Sequence, residues 1–398
     1  MRTLSEIDGR EAPCIAAQDA AGPVRVCFLI DELAAAGTET QLLALIRRLD
    51  RGRVQPYLCL LHGGAAASRA LEPDHCPVYR LHVGSLLRPA TLAKAARFIR
   101  FLRCERIDVL QTYFPDSSYF GLPAARLAGV PHRLRTRNNL GHWMTRGHRR
   151  LGRLLNGIAT GSVVNCGAAR DALLAAEGPR PETITVLENG VDHARFLAVP
   201  PLSARIAGRP TVGAAANLRH VKGLDVLLDA AMRLSGEFSD LRFQIAGEGE
   251  MRASLEATAQ ARGLADRFRL LGSVSDIPAF LGGLDVAVLC SRSEGMSNAL
   301  LEYMAAGRAI VATAVGAAPD LIEDGVQGLL VPPGDADRLA EAIARLLRRP
   351  ELARRLGEAA RRRARDRCSR EAMVERFTVF YERLASEQRF GGRRMKAA

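Results

Sequence analysis

Asp285-Val286-Ala287-Val288-Leu289-Cys290 leads directly into Ser291-Arg292-Ser293-Glu294-Gly295-Met296-Ser297-Asn298-Ala299-Leu300-Leu301-Glu302. The first part is a short apolar run of strand length. The second part is a polar loop followed by apolar residues at helical spacing, which predicts a helix over 298–306. Gly307 is suited to closing that helix in a left-handed conformation. Strand, loop and helix in this order form the unit of a parallel sheet. The unit recurs on both sides. In the second half, strands are expected at 211–216, 242–246, 268–271, 309–313 and 328–331, with helices at 222–234, 250–263, 335–348 and 350–365. In the first half, Val24 to Ile30 is followed by a Gly-bearing loop and a helical pattern from Gln41 to Leu49. Further strands are expected at 55–61, 108–113, 132–137, 161–166 and 184–187, with helices at 89–105 and 118–128. Alternation of this kind predicts α/β architecture, with doubly wound parallel sheets covered on both faces.

The chain has 398 residues, 48% of them apolar, which is more than one core usually holds. Two domains are therefore expected. They span 23–195 and 196–368, joined through Val199-Pro200-Pro201 and Gly208-Arg209-Pro210. Residues 1–22 lack periodicity and read as a disordered lead-in, and 391–398 as a frayed tail. A charged fraction of 25% with 5% aromatics excludes wholesale disorder. No apolar run approaches the length that a spanning helix needs, so none is expected. The start has no basic-then-apolar leader, so no secretion signal is expected either. The eight cysteines are scattered without a C-x-x-C pair, which argues against a zinc site and for a reducing cytoplasm. No Asp-x-Asp pair is present, so no catalytic metal is expected. No G-x-G-x-x-G follows the first strand, which argues against a nicotinamide enzyme.

The net charge is +13, and only three of the 56 basic residues are lysine. Between Ser85 and Leu155, 14 Lys/Arg face three acids. Such a block suits an anionic membrane surface, or is simply a solvated helix face such as Arg97, Arg100, Arg103 and Arg106. Without a helix-turn-helix, zinc-finger or RNA-binding aromatic signature, nucleic acid is not an expected partner.

Four loops carry candidate chemistry. The helix after Ser297 presents free N–H groups and its dipole to an anion such as a diphosphate. Gly295 lets a ligand approach the backbone closely. Glu294 is placed to meet a sugar hydroxyl, and Glu302 to accept from a vicinal diol such as that of ribose. The plain alternative is that both are acids favoured near a helix start. Ala216-Asn217-Leu218-Arg219-His220-Val221-Lys222-Gly223 follows a strand, and its two cations suit a diphosphate leaving group. The third loop is Asp31 to Gln41. There the amides after Gly37 could bind a phosphate, or Thr38 and Gln41 could form a capping box. In Arg135-Thr136-Arg137-Asn138-Asn139-Leu140-Gly141-His142-Trp143, Arg137 suits an acidic ligand and Trp143 could stack on a sugar, against ordinary loop packing.

The Glu294-x7-Glu302 spacing resembles the retaining glycosyltransferases of family 4 with the GT-B fold. The likeness continues through Tyr303-Met304-Ala305-Ala306-Gly307-Arg308-Ala309-Ile310-Val311-Ala312-Thr313, Val315-Gly316 and Asp324-Gly325-Val326-Gln327-Gly328. It implies two facing Rossmann-like domains with an interdomain cleft. The first would be the acceptor side, the second would bind the nucleotide sugar, and a helix over 369–390 would return to the first domain. It assigns catalysis to Glu294, Lys222 and Arg219. It assigns the donor to Gly37, Asn217, Val274, Gly295, Met296, Ser297, Asn298 and Glu302, and the acceptor to Arg137, Asn138 and His142. Relatives place an Arg five residues before the Lys, where this chain has Asn217. They often have His where Gln111 stands and where Arg137 or Asn138 stands, and Ala where Tyr303 stands.

The implied activity is retaining, metal-independent transfer from a nucleotide diphosphate sugar to a hydroxyl. A UDP-sugar is favoured over a GDP-sugar, and no cofactor is implied. The implied acceptor is a saccharide or lipid-linked saccharide in bacterial exopolysaccharide, capsule or lipopolysaccharide assembly. The expected location is cytoplasmic, with the inner face of the membrane as a peripheral site. Two rivals stand beside it: a non-catalytic nucleotide-sugar-binding subunit and a GT-B nucleotide-sugar epimerase.

Overall fold

The computed structural model describes residues 22–34, 36–63, 66–202 and 209–395. The expected lead-in lies outside them for residues 1–21, as do residues 396–398 of the expected tail. The chain divides into two compact units. One runs to Leu187 and resumes at Met373; the other is Glu188–Ala372.

The first unit holds β1 (Val24–Ile30), β2 (Val54–Leu60), β3 (Val78–Arg80), β4 (Val109–Tyr113), β5 (His132–Arg137), β6 (Gly161–Val164) and β7 (Ile184–Val186). They form a seven-stranded sheet in the order β3-β2-β1-β4-β5-β6-β7, with every pairing parallel. Side chains alternate across a strand, so β1 supplies both faces. Val26, Phe28 and Ile30 enter one core with Leu42, Leu45 and Ile46 of helix Gly37–Arg48. Cys27 and Leu29 enter the other with Phe98, Leu102 and Phe120. The first core is completed from the far end of the chain by Met373, Phe377, Phe380 and Tyr381 of helix Arg370–Met395. No proline interrupts this helix, so the expected frayed tail is helical through Met395.

The second unit holds β8 (Thr211–Ala215), β9 (Arg242–Ala246), β10 (Phe268–Gly272), β11 (Val286–Leu289), β12 (Ala309–Thr313) and β13 (Leu329–Val331). Their order is β10-β9-β8-β11-β12-β13, again all parallel. The doubly wound α/β architecture expected from the sequence is present in both units.

Several elements were not foreseen. β3 is three residues long, too short to show a period. Helices Arg146–Leu155 and Gly167–Glu177 were not among the expected helices either, although Leu151, Leu154 and Leu155 of the first have helical spacing. The passage into the second unit falls at Glu188 rather than near 195. Asn189 and Val191 are held inside that unit: the Asn189 side-chain amide donates to the Met296 carbonyl (3.2 Å), and the Val191 N–H donates to that of Cys368 (2.8 Å).

In each sheet the chain reverses direction once, between β1 and β4 and between β8 and β11. Loops leaving adjacent strands there turn to opposite sides, which opens a crevice at the strands' carboxyl ends. β8 and β11 pair only at Val212↔Val286 and Gly213↔Ala287, while β8 and β9 stay paired to Ala215↔Ala246. The Tyr303 hydroxyl accepts the Ala215 N–H (2.6 Å), satisfying a donor that β11 has left.

Candidate active site

Two loops meet at the β8/β11 crevice. The first leaves β8 through Asn217 and Leu218, makes a single helical turn over His220–Lys222, and reverses at Gly223 (φ +65°). A Cβ on Gly223 would lie 2.1 Å from the Cys290 carbonyl oxygen, so only glycine lets the loops close to this distance. Arg292 fastens them. Its guanidinium is bidentate to Asp225 (2.7 and 2.6 Å) and donates to the His220 carbonyl (2.9 Å). From below, the loop after β9 supports the first: a Cβ on Gly247 would lie 2.0 Å from the Ala216 carbonyl oxygen.

Lys222 and Glu294 are distant in sequence and in contact here. Lys222 Nζ donates to Glu294 Oε1 (2.6 Å), and Ser291 Oγ donates to the same oxygen (2.7 Å). Gly316 (φ +57°) packs beneath, where a Cβ would lie 2.2 Å from the Gly295 carbonyl oxygen. The Ala317 N–H donates to that carbonyl (2.9 Å). The path of Gly295 is therefore set by backbone contact rather than by its own flexibility.

Ser297 is the N-cap of helix Asn298–Ala305, its Oγ accepting from the Leu300 N–H (3.5 Å). Met296 is buried, and Asn298 Oδ1 accepts from Asn189 Nδ2 (3.1 Å). Glu302 lies one turn into this helix. Burial pushes its carboxyl above the usual glutamate range, and Arg195 and Arg370 pull against that shift. Arg195 Nη1 is 4.0 Å from Glu302 Oε1. Arg219 and Asn217 are exposed, and the Arg219 guanidinium has no ion-pair partner among the described residues. Val274 is half-buried in the loop after β10.

The remaining candidates lie in the first unit. A pocket at the carboxyl ends of β4 and β5 is lined by Arg137, Asn138, Trp143, Tyr119 and His148, among others. Arg137 and Arg135 converge on the buried carboxylate of Glu177, with Arg135 Nη2 at 2.7 Å and Arg137 on the other oxygen. Gly152 leaves the space this carboxylate occupies, since a Cβ there would lie 2.3 Å from Glu177 Oε2. Arg137 also lies over the Trp143 ring (5.8 Å). Burial lowers its pKa, and Glu177 opposes that. The pocket thus has two guanidiniums to one carboxylate. Asn138 offers a carbonyl to Asn165 Nδ2 (3.5 Å).

His142 does not line the pocket. Gly141 (φ +76°) turns the chain, its N–H bonded to Asn139 Oδ1 (3.0 Å), and directs His142 to solvent. Gly37 begins its helix, and the adjacent Thr38 reaches the pocket. The expected capping box at Thr38 and Gln41 is absent. Ala36 is the N-cap in an extended conformation, so Thr38 already lies inside the first turn. Gln111 is buried and bonded to Tyr113, Thr136 and Tyr381, a core linker rather than a site residue.

Several positioning residues were missed: Ser291, Asp225 with Arg292, Arg195, and Arg135 with Glu177. Only the Gly247-Glu248-Gly249 turn left a local signal, two glycines directly after a strand. Among the described residues, no three His, Cys, Asp or Glu side chains are grouped to hold a metal ion. No described helix is long and apolar enough to cross a membrane.

Comparison with known proteins agrees with this geometry. The family model of glycosyl transferases group 1 matches residues 203–363, and that of the glycosyl transferase 4-like domain matches 24–190. The alpha-D-kanosaminyltransferase of Streptomyces kanamyceticus is 38% identical over 154 residues, covering 38% of this chain and 40% of that protein. The lipopolysaccharide core biosynthesis mannosyltransferase LpcC of Rhizobium leguminosarum bv. viciae is 34% identical over 217 residues, 52% of this chain and 61% of that one. The chain thus matches between 40% and 61% of the length of these two relatives. Among solved structures, Anabaena Alr3699/HepE in complex with UDP superposes with a TM-score of 0.79 at 21% identity. That match covers 90% of this chain and 100% of the other.

Proposed function

The chain belongs to the glycosyl transferases group 1 family, and from that premise we propose that it transfers a sugar from a nucleotide diphosphate donor to an acceptor hydroxyl with retention of the anomeric configuration. The observation that carries the reading is the β8/β11 crevice. There the Lys222–Glu294 pair bridges the two loops, and the capped helix that follows carries the half-buried Glu302 carboxylate.

In this reading the diphosphate lies against the start of helix Asn298–Ala305, with Lys222 and the exposed Arg219 neutralising its charge. Glu302 accepts the two ribose hydroxyls. Glu294, held by Lys222 and Ser291, receives a sugar hydroxyl. Gly295 to Ser297 bring backbone to the sugar and diphosphate, and Val274 meets the base. The bond from the anomeric carbon to the diphosphate oxygen breaks, and the acceptor oxygen bonds to that carbon on the same face. The acceptor's proton passes to the leaving phosphate oxygen. Charge grows on that phosphate as the bond breaks, so Lys222 acts most strongly in the transition state. Lys222→Ala is expected to lower turnover about 10²-fold or more, with a smaller effect on donor binding.

The Arg137 pocket is assigned to the acceptor, with Asn138 on its wall. The acceptor class is a saccharide or lipid-linked saccharide, as the name of the Rhizobium relative supports. A UDP-sugar is the favoured donor, and a neighbour of this fold solved with UDP-glucose supports it.

The test is calorimetric binding of UDP-, GDP- and ADP-sugars to the whole protein and to Glu302→Ala. Losing charge-assisted hydrogen bonds costs about 1.5–3 kcal/mol, tenfold or more in affinity. Selective binding that weakens in the variant supports the reading. Binding by no donor to folded protein would overturn it, and binding without transfer to any acceptor would favour a non-catalytic subunit.

A further inference from the structure

Helix Arg146–Leu155, which was not among the helices expected from the sequence, buries Gly152 and Leu155 against the first unit. At 100° per residue, the opposite side of the helix carries Arg146, Arg150, Arg153 and Leu154, with Arg149 and Leu151 at its margins. All of these are exposed. The helix contains no acid, and none of its four guanidiniums has an ion-pair partner among the described residues. Leu154 is 71% exposed and Leu151 39%.

The surface continues past the helix. Arg126 Nη1 donates to the Gly157 carbonyl (3.3 Å), tying the end of helix Pro115–Ala128 to the end of this one. Arg103 Nη2 donates to the Leu127 carbonyl (2.6 Å), tying in helix Ala90–Cys104. Leu127, 66% exposed, therefore lies between arginines from two helices. Large apolar side chains left in water among such cations match the two layers of an anionic bilayer surface. Guanidiniums meet headgroup phosphates while leucines enter the acyl boundary. A nucleic acid would use the charge but not the leucines, because its contacts are to phosphates and, in single strands, to stacking aromatics. The one tryptophan nearby is already packed against Arg137 and His148.

We propose that the exposed face of helix Arg146–Leu155, extended by Leu127, docks this protein on an anionic lipid bilayer. The surface belongs wholly to the first unit, and the inference stands whether or not the second unit binds a nucleotide sugar.

The experiment is co-sedimentation of the whole protein with vesicles of equal phosphatidylglycerol and phosphatidylcholine, against vesicles of phosphatidylcholine alone. Two double variants are compared, Arg149→Glu/Arg150→Glu and Leu127→Ser/Leu154→Ser. All four positions are exposed, so folding is expected to persist; circular dichroism and nucleotide-sugar affinity serve as controls. The expected result is binding to the anionic vesicles alone, weakened by salt. Each double variant is expected to lose about tenfold or more in partitioning, since each basic residue near such a surface contributes about fivefold. No partitioning by the folded wild-type protein overturns the proposal. So does partitioning that the leucine variant leaves unchanged and single-stranded RNA abolishes, which would mark a general polyanion surface.

Discussion

Partial burial raises the pKa of Glu302, opposed by the charges of Arg195 and then Arg370. A carboxyl whose folded-state pKa exceeds its unfolded value binds its proton more tightly in the folded protein. Ionised Glu302 therefore costs stability at neutral pH, and that cost disappears as pH falls through the raised pKa. Two outcomes are expected. Glu302→Gln leaves thermal stability unchanged or slightly higher while weakening donor binding about tenfold, as read by parallel melting curves and titrations. Donor affinity also declines on acidification at a pH above the ordinary glutamate value of 4.5, and Arg195→Ala moves that midpoint higher. A midpoint unmoved by Arg195→Ala would show that the pair at 4.0 Å is not coupled. Glu302 was legible in sequence because its helix register is local. Arg195 was not, since a contact between distant parts of the chain leaves no periodic trace. For the same reason Arg137 read as an available cation, although Glu177, at the end of a later helix, already holds it.

At the level of elements, the candidate donor site depends on loops that glycines allow to approach. Gly223→Ala would force a left-handed φ of +65° on a residue with a Cβ and drive that atom to 2.1 Å from the Cys290 carbonyl oxygen. The conformational term alone is about 1–2 kcal/mol. The variant is expected to melt several degrees lower and to bind donor more weakly, because Lys222 is the preceding residue. Tyr303→Phe separates stability from chemistry. It removes the acceptor of the Ala215 N–H (2.6 Å) but touches no proposed ligand group, so a loss of about 1–2 kcal/mol with turnover retained is expected. Strands of the two sheets could be read from the sequence because buried parallel strands are continuous apolar runs bounded by loop residues. β3 could not, since three residues carry no period. The first helix shows a different failure. Thr38 and Gln41 have the spacing of a capping box, but the N-cap falls two residues earlier, at Ala36. A true box sits at Thr145 and His148, where histidine takes the place usually held by Glu or Gln.

Across the whole molecule, the first unit is built from segments near opposite ends of the sequence. Helix Arg370–Met395 brings Phe377, Phe380 and Tyr381 into the core around β1, with the Tyr381 ring edge-on to Phe28 (6.1 Å). Arg53 clasps it from β2's entry, bonded to Glu382 (2.9 and 2.7 Å) and Glu375 (2.8 Å). These exposed pairs contribute little each, so the burial of the aromatic face dominates. The polar group inside that face is the sensitive point. Tyr381 donates to Gln111 Oε1 (2.7 Å), while the Gln111 amide donates to Tyr113 and Thr136. The Tyr381–Gln111 bond lies in the core, where an acceptor that loses its donor has no water to replace it. Tyr381→Phe keeps the ring and strands that oxygen, at a cost of about 1–3 kcal/mol. Tyr381→Phe with Gln111→Leu removes both partners and is expected to recover part of the loss. The single tryptophan, Trp143, belongs to the first unit, so its fluorescence during urea unfolding reports that unit. The single variant is expected to lower the midpoint with little change in slope, because the surface exposed on unfolding is nearly the same. Equal midpoints for wild type and variant would mean that the chain's last helix is held by its apolar face alone.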